Sequence, residues 1–289
     1  MLTRYTIMVF GQEDALYWQA HWLILSLLAH AEPPYDIAIA TDHPDYFNWF
    51  GDAVRVHGMS EQDVNQWIGP EGHFFRALIK TVEFGLELQP AADAVFYLDS
   101  DMALNRSLAP VIAGIKAGAI YMDRFEYNLY DSGRKGNKGA KKLWAQVGDR
   151  EWSGITIDRK TPMWNTGITG LSSANIHLVK KSLAVCDAIL ATGVLHRLTE
   201  QIAMSAAMTA NHQEIREVNP DGQEPYFTHY WANKRGWREA ITGHLATIHH
   251  RGLSVPEAVQ FFLENPIDRP AKVNRTRKWH RFLGVQPVR

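Results

Sequence analysis

Cysteine is nearly absent from this chain of 289 residues: Cys186 stands alone, so no disulfide can close within it and no cysteine-based zinc site is available. A dominant charge is also lacking. The 30 Lys and Arg nearly balance the 31 Asp and Glu, leaving a formal net charge of −1, so no global field draws the chain to nucleic acid or a membrane. Long apolar runs are missing as well. The greasiest segment, Trp22 to Ala29, is too short to span a bilayer. Met1 to Phe10 has neither the apolar core nor the small-residue cleavage site of a secretory signal. The expectation is a cytoplasmic protein in which Cys186 is a small buried residue and the triplets at Asn105 and Asn274 carry no glycan. No Gly-x-Gly-x-x-Gly follows the first strand, no Walker phosphate loop occurs, and no internal repeat is seen, which disfavours two common nucleotide-binding modes.

What is present is 46% hydrophobic residues, ample for a core, arranged so that strand and helix patterns alternate. Strands are expected over 5–10, 36–40, 54–57, the run before Asp99, and 119–122, with a strand-turn-strand over 163–171. Helices are expected over 13–30, 44–50, 74–88, 177–190 and 200–210. Such alternation predicts an α/β fold, a mostly parallel central sheet covered by helices on both faces. The polar stretch 131–160 carries Arg134, Lys135, Lys138, Lys141 and Lys142, and reads either as a solvated face or as a cationic lid. The basic segment 269–289, with Trp279 and Phe282 interleaved, reads as a solvated terminus or as a tail touching acidic surfaces, including the periphery of a membrane. One domain over 1–250 and a helical, basic extension over 251–289 are expected.

The most informative run is Val95-Phe96-Tyr97-Leu98-Asp99-Ser100-Asp101, an apolar strand ending in two carboxylates one residue apart. A buried strand delivers its last residues to the rim of a sheet, where α/β proteins bind ligands. Two anionic groups there call for a cation, and a hard ion such as Mn²⁺ or Mg²⁺ would be shared between them and the oxygens of a diphosphate. The bland alternative is a solvated turn capped by aspartates.

The run FRALIKTVEFGLELQPAADAVFYLDSDMAL over 75–104 resembles a block of the family 8 glycosyltransferases, the group that includes glycogenin and lipopolysaccharide galactosyltransferases. Three further landmarks follow in the family's order: Asn165-Thr166-Gly167, Glu200-Gln201, and His229-Tyr230-Trp231-Ala232-Asn233-Lys234-Arg235-Gly236-Trp237. The resemblance implies a GT-A fold, with a Rossmann-like nucleotide-binding half and an acceptor-binding half. It also implies metal-dependent transfer of a hexose, with retention, from a nucleotide-diphosphate sugar, UDP-linked glucose or galactose, to a saccharide or other hydroxyl acceptor. It puts Mn²⁺ (or Mg²⁺) on Asp99, Asp101 and His229, with His249 and His250 as rival ligands on a strand-like segment. Gly11, Gln12, Arg76, Lys80, Ser100, Thr166, Gly167 and one of Lys234 and Arg235 would then contact the nucleotide sugar. Asn165, Glu200 and Gln201 would bind sugar hydroxyls, with Gln201 beneath the anomeric centre. From the residues alone, Arg76 and Lys80 are equally a surface stripe of cations one helical turn apart. Trp164 and Trp231 would wall the acceptor cleft.

The chain departs from the family at three places. Glu200 replaces Asp, Arg235-Gly236-Trp237 replaces Lys-Pro-Trp, and Gly11-Gln12 stands where an aspartate often closes the first strand. Two alternatives follow: a protein that binds nucleotide sugars without turnover, or a sugar nucleotidyltransferase, whose Gly-rich, Arg- and Pro-containing loop is missing from Gly11-Gln12-Glu13-Asp14.

Overall fold

Every residue of β1 (Thr3–Val9) is buried, as a strand covered on both faces must be. The computed structural model that shows this describes residues 2–210, 214–230 and 234–267, without the side chain of Lys234. After β1 the chain forms α1 (Asp14–His30), β2 (Tyr35–Thr41), a 3-10 turn over Pro44–Ala53, β3 (Arg55–Gly58), α2 (Glu61–Ile68), α3 (Arg76–Glu87) and β4 (Ala94–Leu98). Next come β5 (Met102–Leu104), α4 (Ala109–Lys116), β6 (Ile120–Met122), β7 (Phe125–Asn128), α5 (Leu129–Arg134), α6 (Lys138–Val147), β8 (Arg150–Trp152), β9 (Ile155–Ile157), β10 (Pro162–Trp164) and β11 (Ile168–Leu171). The chain closes with α7 (Ile176–Leu190), α8 (Thr199–Ala210), β12 (Ile215–Glu217), β13 (Phe227–His229), α9 (Lys234–His250) and α10 (Val255–Glu264).

Seven strands form one sheet in the order β12-β6-β11-β4-β1-β2-β3. All run parallel except β11, which is antiparallel to both of its neighbours. Alternation along each strand divides the core between two faces. Tyr5, Ile7 and Val9 of β1 and Phe96 and Leu98 of β4 pack with α1, α9 and α10, whereas Met8, Val95 and Tyr97 pack with α3, α7 and α8. The fold class read from the sequence is the one observed.

The chain enters the sheet at β1, builds outward through β2 and β3, then crosses back over β1 to lay down β4 on its other side. Strand order therefore reverses between β1 and β4, and the carboxyl ends of these two strands flank the crevice where open α/β sheets take ligands. Because β11 is antiparallel, its amino-terminal end, carrying Asn165-Thr166-Gly167, arrives at this same rim.

Two expectations change. Residues 131–160 are not a structureless polar loop: Leu143 and Val147 of α6 and Ile157 of β9 are fully buried, while the cations from Arg134 to Lys142 stay on the outer surface. Amphipathic spacing inside a lysine-rich segment was masked by its charge. The strand-turn-strand over 163–171 is present, with β10 paired to β7 and β11 to the main sheet. His249 and His250 end α9 rather than a strand. Beyond residue 250, α10 packs on α1, with the Phe262 ring 4.6 Å from that of Trp22. The basic segment 269–289 and Trp231 lie outside the described residues. Among the described residues no helix is long and apolar enough to cross a membrane.

Candidate metal centre

The apolar strand β4 ends at Leu98, and the next residue, Asp99, is tied to the sheet by its N–H, which donates to the Gly167 carbonyl at 2.8 Å. The Tyr97 hydroxyl donates to Asp99 Oδ1 at 2.6 Å and orients that carboxylate. After Asp101 the chain turns back as β5, which pairs with β13 so that His229 stands opposite Met102. Tyr230 N–H donates to the Asp101 carbonyl at 2.9 Å. A small two-stranded ladder thus brings a histidine 128 positions down the chain from Asp101 into contact with it.

Asp99, Asp101 and His229 offer one ligand atom each, all within 4.8 Å of one another. His229 Nε2 lies 3.3 Å from Asp101 Oδ1 and 4.0 Å from Asp99 Oδ2. On its other edge, Nδ1 is 2.9 Å from Oδ2 of Asp123, whose side chain is completely buried. Asp123 Oδ1 accepts from Asn219 Nδ2 at 2.9 Å, and Asn219 Oδ1 accepts from the Phe227 N–H at 3.0 Å. A buried carboxylate behind an imidazole is the usual way to hold a metal-binding histidine, since it keeps the proton on Nδ1 and turns the Nε2 lone pair to the ion. Two hard oxygens and one imidazole suit Mn²⁺ and also admit Mg²⁺, so the residues fit the ion expected from the sequence. Burial works against a charged imidazole at His229, but hydrogen bonds to Asp101 and Asp123 and the charges of Asp101 and Asp99 outweigh it and push its pKa up to about 10. The Asp99 side chain is 34% exposed, against 9% for Asp101 and 5% for His229, so the group opens to solvent on the Asp99 side.

Gly167 is packed against this group. A Cβ there would stand 2.8 Å from Asp99 Oδ2 and 2.9 Å from His229 Cε1, so no other residue fits without displacing both. Asn165 Oδ1 accepts from the Gly167 N–H and fixes the turn. The two carboxamides of Asn165 and Gln201 donate to opposite oxygens of Glu126, at 3.0 and 2.9 Å. Glu200 is 3% exposed and accepts from the Thr166 hydroxyl, which is itself buried. Loss of hydration pushes the Glu200 pKa up to about 8 against that hydrogen bond, and the charge of Asp99 adds to the rise. Glu200 and Thr166 therefore form a buried layer behind the rim, whereas Asn165, on the rim, is partly exposed.

Other expected site residues are placed as follows. Gly11, with φ of +107°, and the exposed Gln12 follow β1; the Gly11 N–H donates to Asp42 Oδ2 at 3.0 Å, and Tyr17 closes the loop through Asp42 Oδ1. Ser100 sits half-buried between the two aspartates. Arg76 is not brought to the group: its guanidinium donates to both oxygens of Asp187 and to the Gln66 and Trp67 carbonyls at the end of α2. Lys80 is spent on Glu83, one turn along α3. Each cation on this helix is engaged by a nearby carboxylate, Arg76 with its side chain only 11% exposed. Arg235 is 92% exposed and pairs with Glu239 at 2.9 Å. His249 lies against the rings of Trp18 and Trp49, away from the aspartates.

Asp123, Glu126, Asn219 and Asp42 were missed. The first had a readable signal, an aspartate directly after the buried strand β6, like Asp99 after β4. No protein-family model matches this chain, and no match was found among curated proteins.

Proposed function

We propose that this chain transfers a hexose from a nucleotide-diphosphate sugar, UDP-linked by the resemblance of its motifs to family 8 glycosyltransferases, to a hydroxyl acceptor. The observation that carries this reading is the convergence of Asp99, Asp101 and His229 at the carboxyl rim, where strand order reverses between β1 and β4. A divalent ion held there would supply a Lewis acid for the charge that grows on the departing diphosphate.

The chain's own part is positional. Asp99, Asp101 and His229 would hold the ion, and Asp123, through its contact with His229 Nδ1, would keep the imidazole turned towards it. Asn165 and Gln201 offer amides suited to sugar hydroxyls, both tethered by Glu126 so that each has one fixed orientation. In the reaction the bond from the anomeric carbon to the diphosphate oxygen breaks and one to the acceptor oxygen forms. The acceptor proton passes to the leaving phosphate, giving a glycoside and a nucleoside diphosphate. Retention, as the resemblance implies, needs no protein nucleophile if the acceptor enters on the face the diphosphate leaves.

One observation favours a second reading, binding without turnover. Glu200 stands where the family places an aspartate, yet its carboxyl is buried and committed to Thr166. Calorimetry of UDP with MnCl₂ tests the shared premise. Binding should require the ion and be lost in Asp101→Asn; unchanged binding in that folded variant would refute the site. A panel of UDP-sugars then separates the readings, since released UDP marks turnover and its absence with intact binding marks a binder.

A further inference from the structure

The pairing of β7 with β10 is irregular at one point. Pro162 stands opposite Asn128 and Met163 opposite Tyr127, but Trp164 stands opposite Phe125, which leaves Glu126 as an extra residue in β7. Such a bulge breaks the strict alternation of a strand and re-aims a side chain, a device common beside active sites. Here it lets two consecutive residues, an aromatic and an acid, serve the same rim. Glu126 is exposed, and its two oxygens are held by Asn165 Nδ2 and Gln201 Nε2. Phe125 is 45% exposed, and its ring meets that of Trp164 edge to face, with centroids 5.6 Å apart.

The platform is rigidly built. The Phe125 N–H donates to Glu217 Oε1 at 2.9 Å, the Trp164 N–H to Ser205 Oγ at 3.0 Å, and the Asn165 N–H to the Arg124 carbonyl at 2.9 Å. A large apolar ring left 45% exposed next to a backbone that hydrogen bonds fix would gain from a further apolar surface laid over it. An aromatic face beside a fixed carboxylate matches the chemistry of a pyranose: one side of the sugar ring is lined by C–H groups and its edge by hydroxyls that donate to carboxylates.

We propose that the Phe125–Glu126 bulge and Trp164 form the acceptor subsite, and that the acceptor is a pyranoside whose apolar face lies on this aromatic pair while a ring hydroxyl donates to Glu126. The assignment rests on the transferase reading for the word acceptor alone, since the platform would bind a glycoside whether or not transfer follows. It also accounts for the tether to Gln201 and Asn165: one carboxylate touches both amides meant for the transferred sugar and the ring that receives it, which sets the two sugars side by side.

Saturation-transfer NMR on the full chain, with a panel of methyl α- and β-pyranosides of glucose, galactose, mannose and N-acetylglucosamine, tests this. It is run with and without MnCl₂ and UDP. Wild type should transfer saturation to the ring C–H protons of at least one glycoside. Phe125→Leu, which keeps apolar bulk and loses the ring face, should weaken that binding about tenfold, and Phe125→Tyr should restore it. The affinity of Phe125→Leu for UDP with MnCl₂ should stay within about twofold of wild type, because Phe125 touches none of the metal group. The proposal is overturned if no glycoside in the panel receives saturation, or if Phe125→Leu binds as wild type does. Failure of UDP to bind, with glycoside binding intact and sensitive to Phe125, would refute the transferase reading and leave the saccharide subsite standing.

Discussion

Replacing Asp123 by Asn removes one charge and adds one proton donor without changing shape, at a side chain with no solvent exposure. Both of its oxygens accept hydrogen bonds, one from His229 and one from Asn219. The new amide can satisfy only one of them. If its NH₂ faces His229, Nδ1 must become the acceptor, the ring proton moves to Nε2, and the nitrogen facing Asp101 can no longer bind a cation. If its NH₂ faces Asn219, two donors meet; Asn219 must flip and abandon the Phe227 N–H, leaving a buried donor unpaired at about 1–3 kcal/mol. Either arrangement weakens the support of the metal ligand. Loss of such a partner lowers metal affinity about 10- to 100-fold, or about 1.4–2.8 kcal/mol. Titration with MnCl₂, reading the free ion by electron paramagnetic resonance, measures this directly, with thermal unfolding as the control for fold. An affinity within twofold of wild type in a folded Asp123→Asn protein, while Asp101→Asn abolishes binding, would refute the argument that Asp123 orients His229.

Four other outcomes are expected. With a pKa of about 10, His229 is protonated at pH 7.5 without metal, so Mn²⁺ binding should release close to one proton, read by calorimetry in buffers of different ionisation enthalpy; affinity should rise with pH. Gly167→Ala places a methyl group against Asp99 and His229, and an overpacking cost of about 1–3 kcal/mol should appear as a roughly five- to hundredfold loss of Mn²⁺ affinity in the same titration. Glu200 keeps its proton up to about pH 8 in the native state but only to about 4.5 when unfolded, so it makes stability fall as pH rises between those values; Glu200→Gln should flatten that slope in urea unfolding. Arg76→Ala should cost about 1.5–3 kcal/mol of stability through loss of Asp187 and the α2 carbonyls, with Mn²⁺ affinity unchanged.

Much of the frame was legible because it depends on short-range pattern. Strand and helix alternation foretold a largely parallel sheet, and the run from Val95 to Leu98 foretold that Asp99 and Asp101 would emerge at the carboxyl rim of that sheet. A buried strand must be apolar, and the residues after it must leave the core, so local composition determines both facts. Arg76 shows the limit of such reading. A guanidinium on the helix before the strand that ends at Asp99 suits a diphosphate as well as an aspartate, and only packing of α3 against α7 decided for Asp187. The lysine-rich segment 131–160 shows another: its charge density suggested a loop, while the fold buried one stripe of it.

What the chain determined by itself, then, was that two carboxylates would end a buried strand and that helices would cover both faces of its sheet. Only the tertiary structure decided which groups meet them. His229 joins Asp101 because β13 pairs with β5, Asp123 reaches His229 because β6 ends at the same rim, and Glu126 joins Asn165 and Gln201 because a bulge in β7 re-aims it. These contacts span gaps of 39 to 128 residues, Glu126 to Asn165 at one extreme and Asp101 to His229 at the other, and no local propensity encodes them. They arise where strand register fixes side chains to within an ångström or so, a precision set by backbone hydrogen bonds across the sheet rather than by the preferences of the residues themselves.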